Sequence, residues 1–264
     1  MIGMLHLLAS ACYLAALVRG VAGLRSGTAP SSVPLLLGGG ALLHATGFVV
    51  LHAHVPPIPL ESFSTALSLI GWLIPTSYLF SLRVARVRGV GTWVAGASAV
   101  FTAAAAIGLL GVEELPAPIE APGGAWSHAH VLLSTLGFSL LALTSLAGLA
   151  YLTKKRALKS NDAARFGLPS LESLDRMEHV TLSLGFSLLS LGMATGFLWS
   201  MNRGASPWTQ HSQWLVAAWA VYLLPIGMRL VNRQHGDRPA RIVTFGFAFL
   251  AFSYLGIRLL GFRT

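Results

Sequence analysis

Residues Ala129–Leu152 read AHVLLSTLGFSLLALTSLAGLAYL, a run without one Asp, Glu, Lys or Arg. A bilayer core about 30 Å thick needs roughly 20 apolar residues in a helix. Within lipid every backbone N–H and C=O must be bonded inside the segment, and a continuous apolar run achieves that as a helix. Membrane barrels show alternating segments of about ten residues instead, and this run does not alternate. Lys154, Lys155 and Arg156 follow it almost at once. Cationic side chains beside a span mark the cytoplasmic side. Fold class and direction can both be read from this one stretch.

The pattern recurs along the chain. Further apolar runs cover Ile2–Leu24, Val33–Leu51, Ser64–Leu82, Val90–Leu110, Val180–Ser200, Gln213–Leu230 and Ile242–Leu260. The expected fold is all-α: a polytopic membrane helical bundle of about eight transmembrane helices, with 1–264 as a single membrane domain. Composition agrees. The chain is 54% hydrophobic and 10% charged, whereas soluble domains carry about 25% charge. Mean hydropathy is +0.68. The net charge of +9 does not argue for nucleic acid, because the basic residues sit in short connections between apolar runs. Cys12 is the one cysteine, so no disulfide framework is expected. The first run lacks a basic leader and is too long for a cleavable signal.

The connections set the orientation. Fifteen of the 18 Lys and Arg residues fall in alternate connections: Arg19 and Arg25; Arg83, Arg86 and Arg88; Lys154 through Arg176; and Arg229 through Arg241. The second and fourth connections carry only acidic residues, namely Glu61, Glu113, Glu114 and Glu120, and the sixth carries Arg203. The positive-inside rule then places both termini outside, in a cell (inner or plasma) membrane surrounded by lipid. The long inner connection Thr153–Met177 contains Pro169, with Ser170 and Ser173 as capping oxygens. It is expected to hold a short helix along the inner surface. No acidic pair is expected within a span, which argues against carboxylate chemistry. No nucleotide-binding, serine-hydrolase or HExxH sequence occurs.

Most histidines map to the outer side: His6, His52, His54, His128, His130 and His211, with His44 deeper in the second span. Imidazole is a good ligand for heme iron. Residues two apart on a helix point about 200° away from each other. At most one of His52 and His54, and one of His128 and His130, can therefore face a shared pocket. His54 and His130 are the candidates. A polar group at the depth of His44 is costly and tends to be functional or paired. A hydrogen bond to a backbone carbonyl of a neighbouring helix accounts for it equally well. Tryptophans gather on the same side: Trp126, Trp199, Trp208, Trp214 and Trp219, four of them in WSMNRGASPWTQHSQWLVAAW (Trp199–Trp219). An interfacial aromatic belt is the ordinary explanation. Their faces also suit a porphyrin plane, and Arg203 suits a propionate.

The stretch LPSLESLDRMEHVTLSLGFSLLSLGMATGFLWS (Leu168–Ser200) resembles the cytochrome c assembly family, which includes CcsA, CcmC, CcmF and the HemX and YpjD branch. The likeness continues through Trp208–Tyr222 and Arg238–Leu260. Upstream, HVPPIPLESFSTALSLIGW (His54–Trp72) resembles the family's His-x-Pro…Glu-Ser stretch, and WSHAHVLLSTLGFSLL (Trp126–Leu141) its Trp-x-x-x-His motif. The family-like region is 54–262. The resemblance implies heme held near the outer face and moved or presented there. It implies His130 and His54 as axial ligands and Trp199, Trp208, Trp214 and Trp219 around the porphyrin; Glu61 and Trp126, which lie in the matching motifs, and Arg203, by its charge, are further candidates to bind it. There are departures. The family's loop core reads Trp-Asp-Pro-Lys-Glu-Thr-Trp, where this chain has Trp208-Thr209-Gln210-His211-Ser212-Gln213-Trp214. The family's second outer histidine has no match, and its histidine of the seventh span falls near Gly227. His211 is a candidate replacement ligand and His44 a further one.

Two functions of different class follow. One is a heme carrier of cytochrome c biogenesis that hands heme to another membrane or extracytoplasmic assembly protein, without covalent chemistry of its own. The other is a HemX-like regulator of tetrapyrrole synthesis acting through its basic inner loop. A small-solute permease has less support, since no inverted repeat or Gly/Pro-broken helix pair marks a central site, though Pro75 and Pro225 could kink the third and seventh spans.

Overall fold

The computed structural model describes residues 2–54, 62–83, 87–110, 124–160, 167–230 and 236–256. Among these there are helices and no strands: α1 (Ile2–Arg25), α2 (Ser32–His54), α3 (Phe63–Ser81), α4 (Gly91–Leu110), α5 (Gly124–Lys159), α6 (Leu171–Asn202), α7 (Gln210–Leu230) and α8 (Asp237–Ala251). A 3-10 turn at Arg88–Val90 leads into α4, and α8 passes into a π turn at Phe252–Gly256. Among the described residues seven helices are long and apolar enough to cross a membrane; α7, which opens on Gln210, His211, Ser212 and Gln213, is not one of them. The protein is a multi-pass helical membrane protein.

The helices form two compact units. The first holds Met1–Gly124 with Ala157–Ser170, and the second Ala125–Arg156 with Leu171–Thr264. In the first, α1 packs against α2 and α4, and α3 against α4 and α2. Lipid gives helices no hydrophobic reason to associate, so close backbone approach has to supply the packing. Gly71 shows how: a Cβ there would lie 2.6 Å from Thr102 Oγ1 on α4. In the second unit α7 packs against α6 and α8. A Cβ on Gly137 of α5 would lie 2.5 Å from the Leu189 backbone nitrogen of α6, so only glycine permits that approach.

Two spans differ from the sequence expectation. α6 begins at Leu171, not Val180, and α5 runs on to Lys159. The surface helix expected around Ser170–Met177 is the opening of α6 itself. This places Asp175 and Glu178 inside the helix, contrary to the expectation of no acidic pair within a span. The physical reason lies on α7. Arg229 reaches both carboxylates, which offsets part of the cost of burying their charge.

Candidate functional site

His130 lies in the second turn of α5, with its side chain turned to α6. Its Nδ1 is 2.7 Å from the Gly192 carbonyl oxygen, and Ser134 Oγ is 3.4 Å from the same nitrogen. A carbonyl only accepts, so Nδ1 carries the proton, and in neutral imidazole Nε2 then holds the lone pair. A backbone carbonyl that fixes the tautomer in this way orients histidines that bind metals. Gly196 makes the room, since a Cβ there would lie 2.6 Å from Nδ1. Gly192 and Gly196 form a small-xxx-small pair along α6. That signal was present in the sequence and points to a close helix contact. Trp199 lies one turn further on, its ring stacked 6.3 Å from His130 at 21°. Arg203 stands over the indole at 5.3 Å. The indole Nε1 is buried without a hydrogen-bond partner among the described residues.

The loop after α6 turns at Gly204, where φ is +67°, a conformation that favours glycine. Met201 and Ser200 carbonyls accept from Gly204 and Ala205 there. Trp208 packs on Phe197 at 5.3 Å yet stays 60% exposed. Trp214 meets Phe249 at 6.1 Å and is 41% exposed. His211, half-buried, lies 6.3 Å from the ring of Tyr254 in the π turn. Trp126 is exposed near the start of α5. His128 is exposed where His130 is not, as the two-residue spacing requires. Trp219 is placed apart from this group: it donates to Ser190 Oγ at 2.8 Å and stacks on Phe186. Ser190 lies nine positions before Trp199, roughly 13 Å along α6 at 1.5 Å per residue.

At the other end of the same unit the polar groups are consumed by one another. Arg229 donates to Asp175 at 3.0 Å and to Glu178 at 2.6 Å. Asp175 also accepts from the Gly236 N–H, and Lys155 pairs with Asp237 at 2.5 Å. Hydropathy reading missed this set because its members come from four helices.

The remaining candidates lie in the first unit. His44 is fully buried, and its Nε2 is 2.8 Å from Ser68 Oγ, which His6 Nε2 also reaches at 2.7 Å. His54 ends α2, but its side chain, like the whole of Glu61, lies outside the described residues. No three His, Cys, Asp or Glu side chains gather as a metal cage among the described residues. The site at His130 offers one oriented imidazole with aromatic faces close by.

The chain matches the family described as Cytochrome C assembly protein over residues 64–263. It is similar to the cytochrome c biogenesis protein CcsA of Guillardia theta, 29% identical over 157 residues that cover 52% of this chain and 52% of that protein. It is similar to CcsA of Chlamydomonas reinhardtii at 26% identity, covering 77% of this chain and 59% of the relative. With CcsA of Microcystis aeruginosa the identity is 23% over 89% of each chain. The chain thus spans about half the length of the first relative and under two thirds of the second. No solved structure matches. With α4 through α8, all of α3 but its first residue, and the His130 and Trp199 site falling inside the matched residues, this multi-pass chain belongs to the Cytochrome C assembly protein family.

Proposed function

We propose that the chain serves cytochrome c biogenesis by binding heme near the extracytoplasmic face of the cell membrane and presenting it to another membrane or extracytoplasmic assembly protein. The observation that carries this is the fixed tautomer of His130, whose Nδ1 is held by the Gly192 carbonyl so that Nε2 is the free donor atom. That arrangement fits an axial ligand. Heme is the cargo here, bringing an iron with axial positions, a flat apolar ring and two propionates. Trp199 flanks His130, Trp208 and Trp214 offer exposed aromatic faces, and Arg203 offers a charged fork for a propionate. His211 is the candidate second ligand within the same unit. Support also comes from the CcsA name that the relatives carry.

The test is to purify the protein with and without added heme and record the Soret band. The wild type is expected to show it, and His130→Ala to lose it. His179→Ala, an exposed position towards the other end of α6, should keep it. A wild type that takes up no heme sinks the function, and an unaltered band in His130→Ala sinks the ligand assignment. The regulator reading has no observation to carry it. Residues 161–166 of its basic loop lie outside the described residues, and the relatives named above are CcsA proteins.

A further inference from the structure

The carbonyl that holds His130 is itself shared. Gly192 accepts the His130 Nδ1–H at 2.7 Å, and its oxygen also lies 2.8 Å from the hydroxyl of Thr195, three residues further along α6. Within a helix such as α6 the same oxygen takes the backbone N–H four residues on, here that of Gly196. Three donors converge on one acceptor that has two lone pairs. Each weakens the bond the others can make.

Threonines inside helices commonly bond back to a carbonyl three or four residues earlier, so the bond alone says little. Its choice of acceptor says more. Thr135 and Thr181 also have two carbonyls in reach, and both lie nearer the one four residues back: 2.7 against 3.2 Å, and 2.8 against 3.4 Å. Thr195 reverses the order. It is 3.0 Å from the Leu191 oxygen and 2.8 Å from that of Gly192, the one His130 uses. A hydroxyl has one proton and serves one of the two in full. The consequence reaches the far side of the ring. A hydrogen bond given by Nδ1 makes imidazole more anionic and raises its basicity towards a metal at Nε2. A more anionic donor favours ferric over ferrous iron, because the higher charge gains more from it; hydrogen bonding around the ligands is one of the protein's means of setting a heme potential.

We propose that Thr195 is a positioning residue of the His130 site, one that sets how strongly this imidazole donates to heme iron. With its hydroxyl on the Gly192 oxygen, Thr195 competes with His130 and keeps the ring close to neutral character. With the hydroxyl turned to Leu191, the Gly192 carbonyl is released to Nδ1–H and the ring becomes the stronger ligand. No proton leaves its own atom in this exchange; only the direction of one O–H bond changes. Thr195 touches neither iron nor porphyrin in this role and acts through Gly192 and His130. The role rests on the heme reading at His130.

The test loads the full chain with heme in detergent and measures the reduction potential of the bound heme. Thr195→Val keeps the shape of the side chain and loses the hydroxyl. It should bind ferric over ferrous heme with a preference several-fold greater than wild type, seen as a lower potential. The change should stay below the about 10–100-fold that loss of a ligand's direct orienting partner causes. Thr195→Ser, which keeps the hydroxyl, should match wild type, and Thr195→Ala should shift in the same direction as Thr195→Val. An equal or higher potential in Thr195→Val overturns the role of Thr195 and leaves the heme reading intact. A wild type without heme, or a Soret band unaltered in His130→Ala, overturns the heme reading and this role with it. Proton NMR of the heme-free protein separates the two cases further. The His130 Nδ1–H resonance should move downfield in Thr195→Val as its bond to Gly192 strengthens, and an unmoved resonance overturns the competition at that carbonyl whether or not heme is taken up.

Discussion

The two ends of the second unit use polar side chains in opposite ways. At one end Arg229, Asp175 and Glu178 are 2%, 16% and 0% exposed and pair with one another, although Glu178 Oε2 and Arg229 Nε are left without a hydrogen bond among the described residues. At the other end Trp208 and Trp214 stand largely exposed, and His130 is tied through one nitrogen only. Groups that are paired inside the chain have little left to offer a ligand. Those held by one bond are oriented and still available. The charged end therefore reads as the part that fastens α6, α7 and α8, and the aromatic end as the part left available for the heme proposed above.

The sharpest way to break this contrast is Arg229→Met. It leaves two carboxylates buried without their cation, and removal of one partner from a buried pair costs about 3–5 kcal/mol. A large fall in the thermal midpoint in detergent is expected, with the heme-free proteins compared. A midpoint equal to wild type would mean that the charged end fastens nothing. His130→Ala should behave in the converse manner. The heme band should disappear while the heme-free midpoint moves little, because one hydrogen bond contributes about 1 kcal/mol. Gly196→Ala sharpens the comparison further. Its Cβ would meet His130 Nδ1 at 2.6 Å, so the ring has to move while Nε2 itself is untouched. Loss of such an orienting contact lowers metal affinity by about 10–100-fold, measured here as a weaker heme titration.

How much of this was readable beforehand depended on distance along the chain. Apolar runs are local, so α1 through α4 fall within a few residues of the expected limits. The separation of His128 from His130 is also local, and helical geometry alone sorted the exposed ring from the half-buried one. The Gly192 carbonyl that fixes His130 is 62 positions away, and no pattern around His130 announces it. Glu178 looked like the flank of a span because its partner, Arg229, is 51 positions distant. Once that pair exists, the helix can start at Leu171 and carry its charges inward. The His6, Ser68 and His44 chain draws on three helices. Reading each as a single polar residue in an apolar run gave no sign that they meet.

The smallest expected effect lies at the rim of the charged end. Lys155 and Asp237 pair at 2.5 Å, but their side chains are 36% and 34% exposed. Where water reaches both partners, a surface pair contributes about 0.2–1 kcal/mol and weakens as salt rises. Lys155→Ala should thus lower the thermal midpoint slightly at low ionic strength and hardly at all at high salt, with heme uptake unchanged. An Arg229-sized loss from Lys155→Ala would show that Asp237 belongs to the buried network and that the fastening extends to the start of α8. A salt-independent loss would say the same, since screening acts on exposed charges far more than on those shut away from solvent.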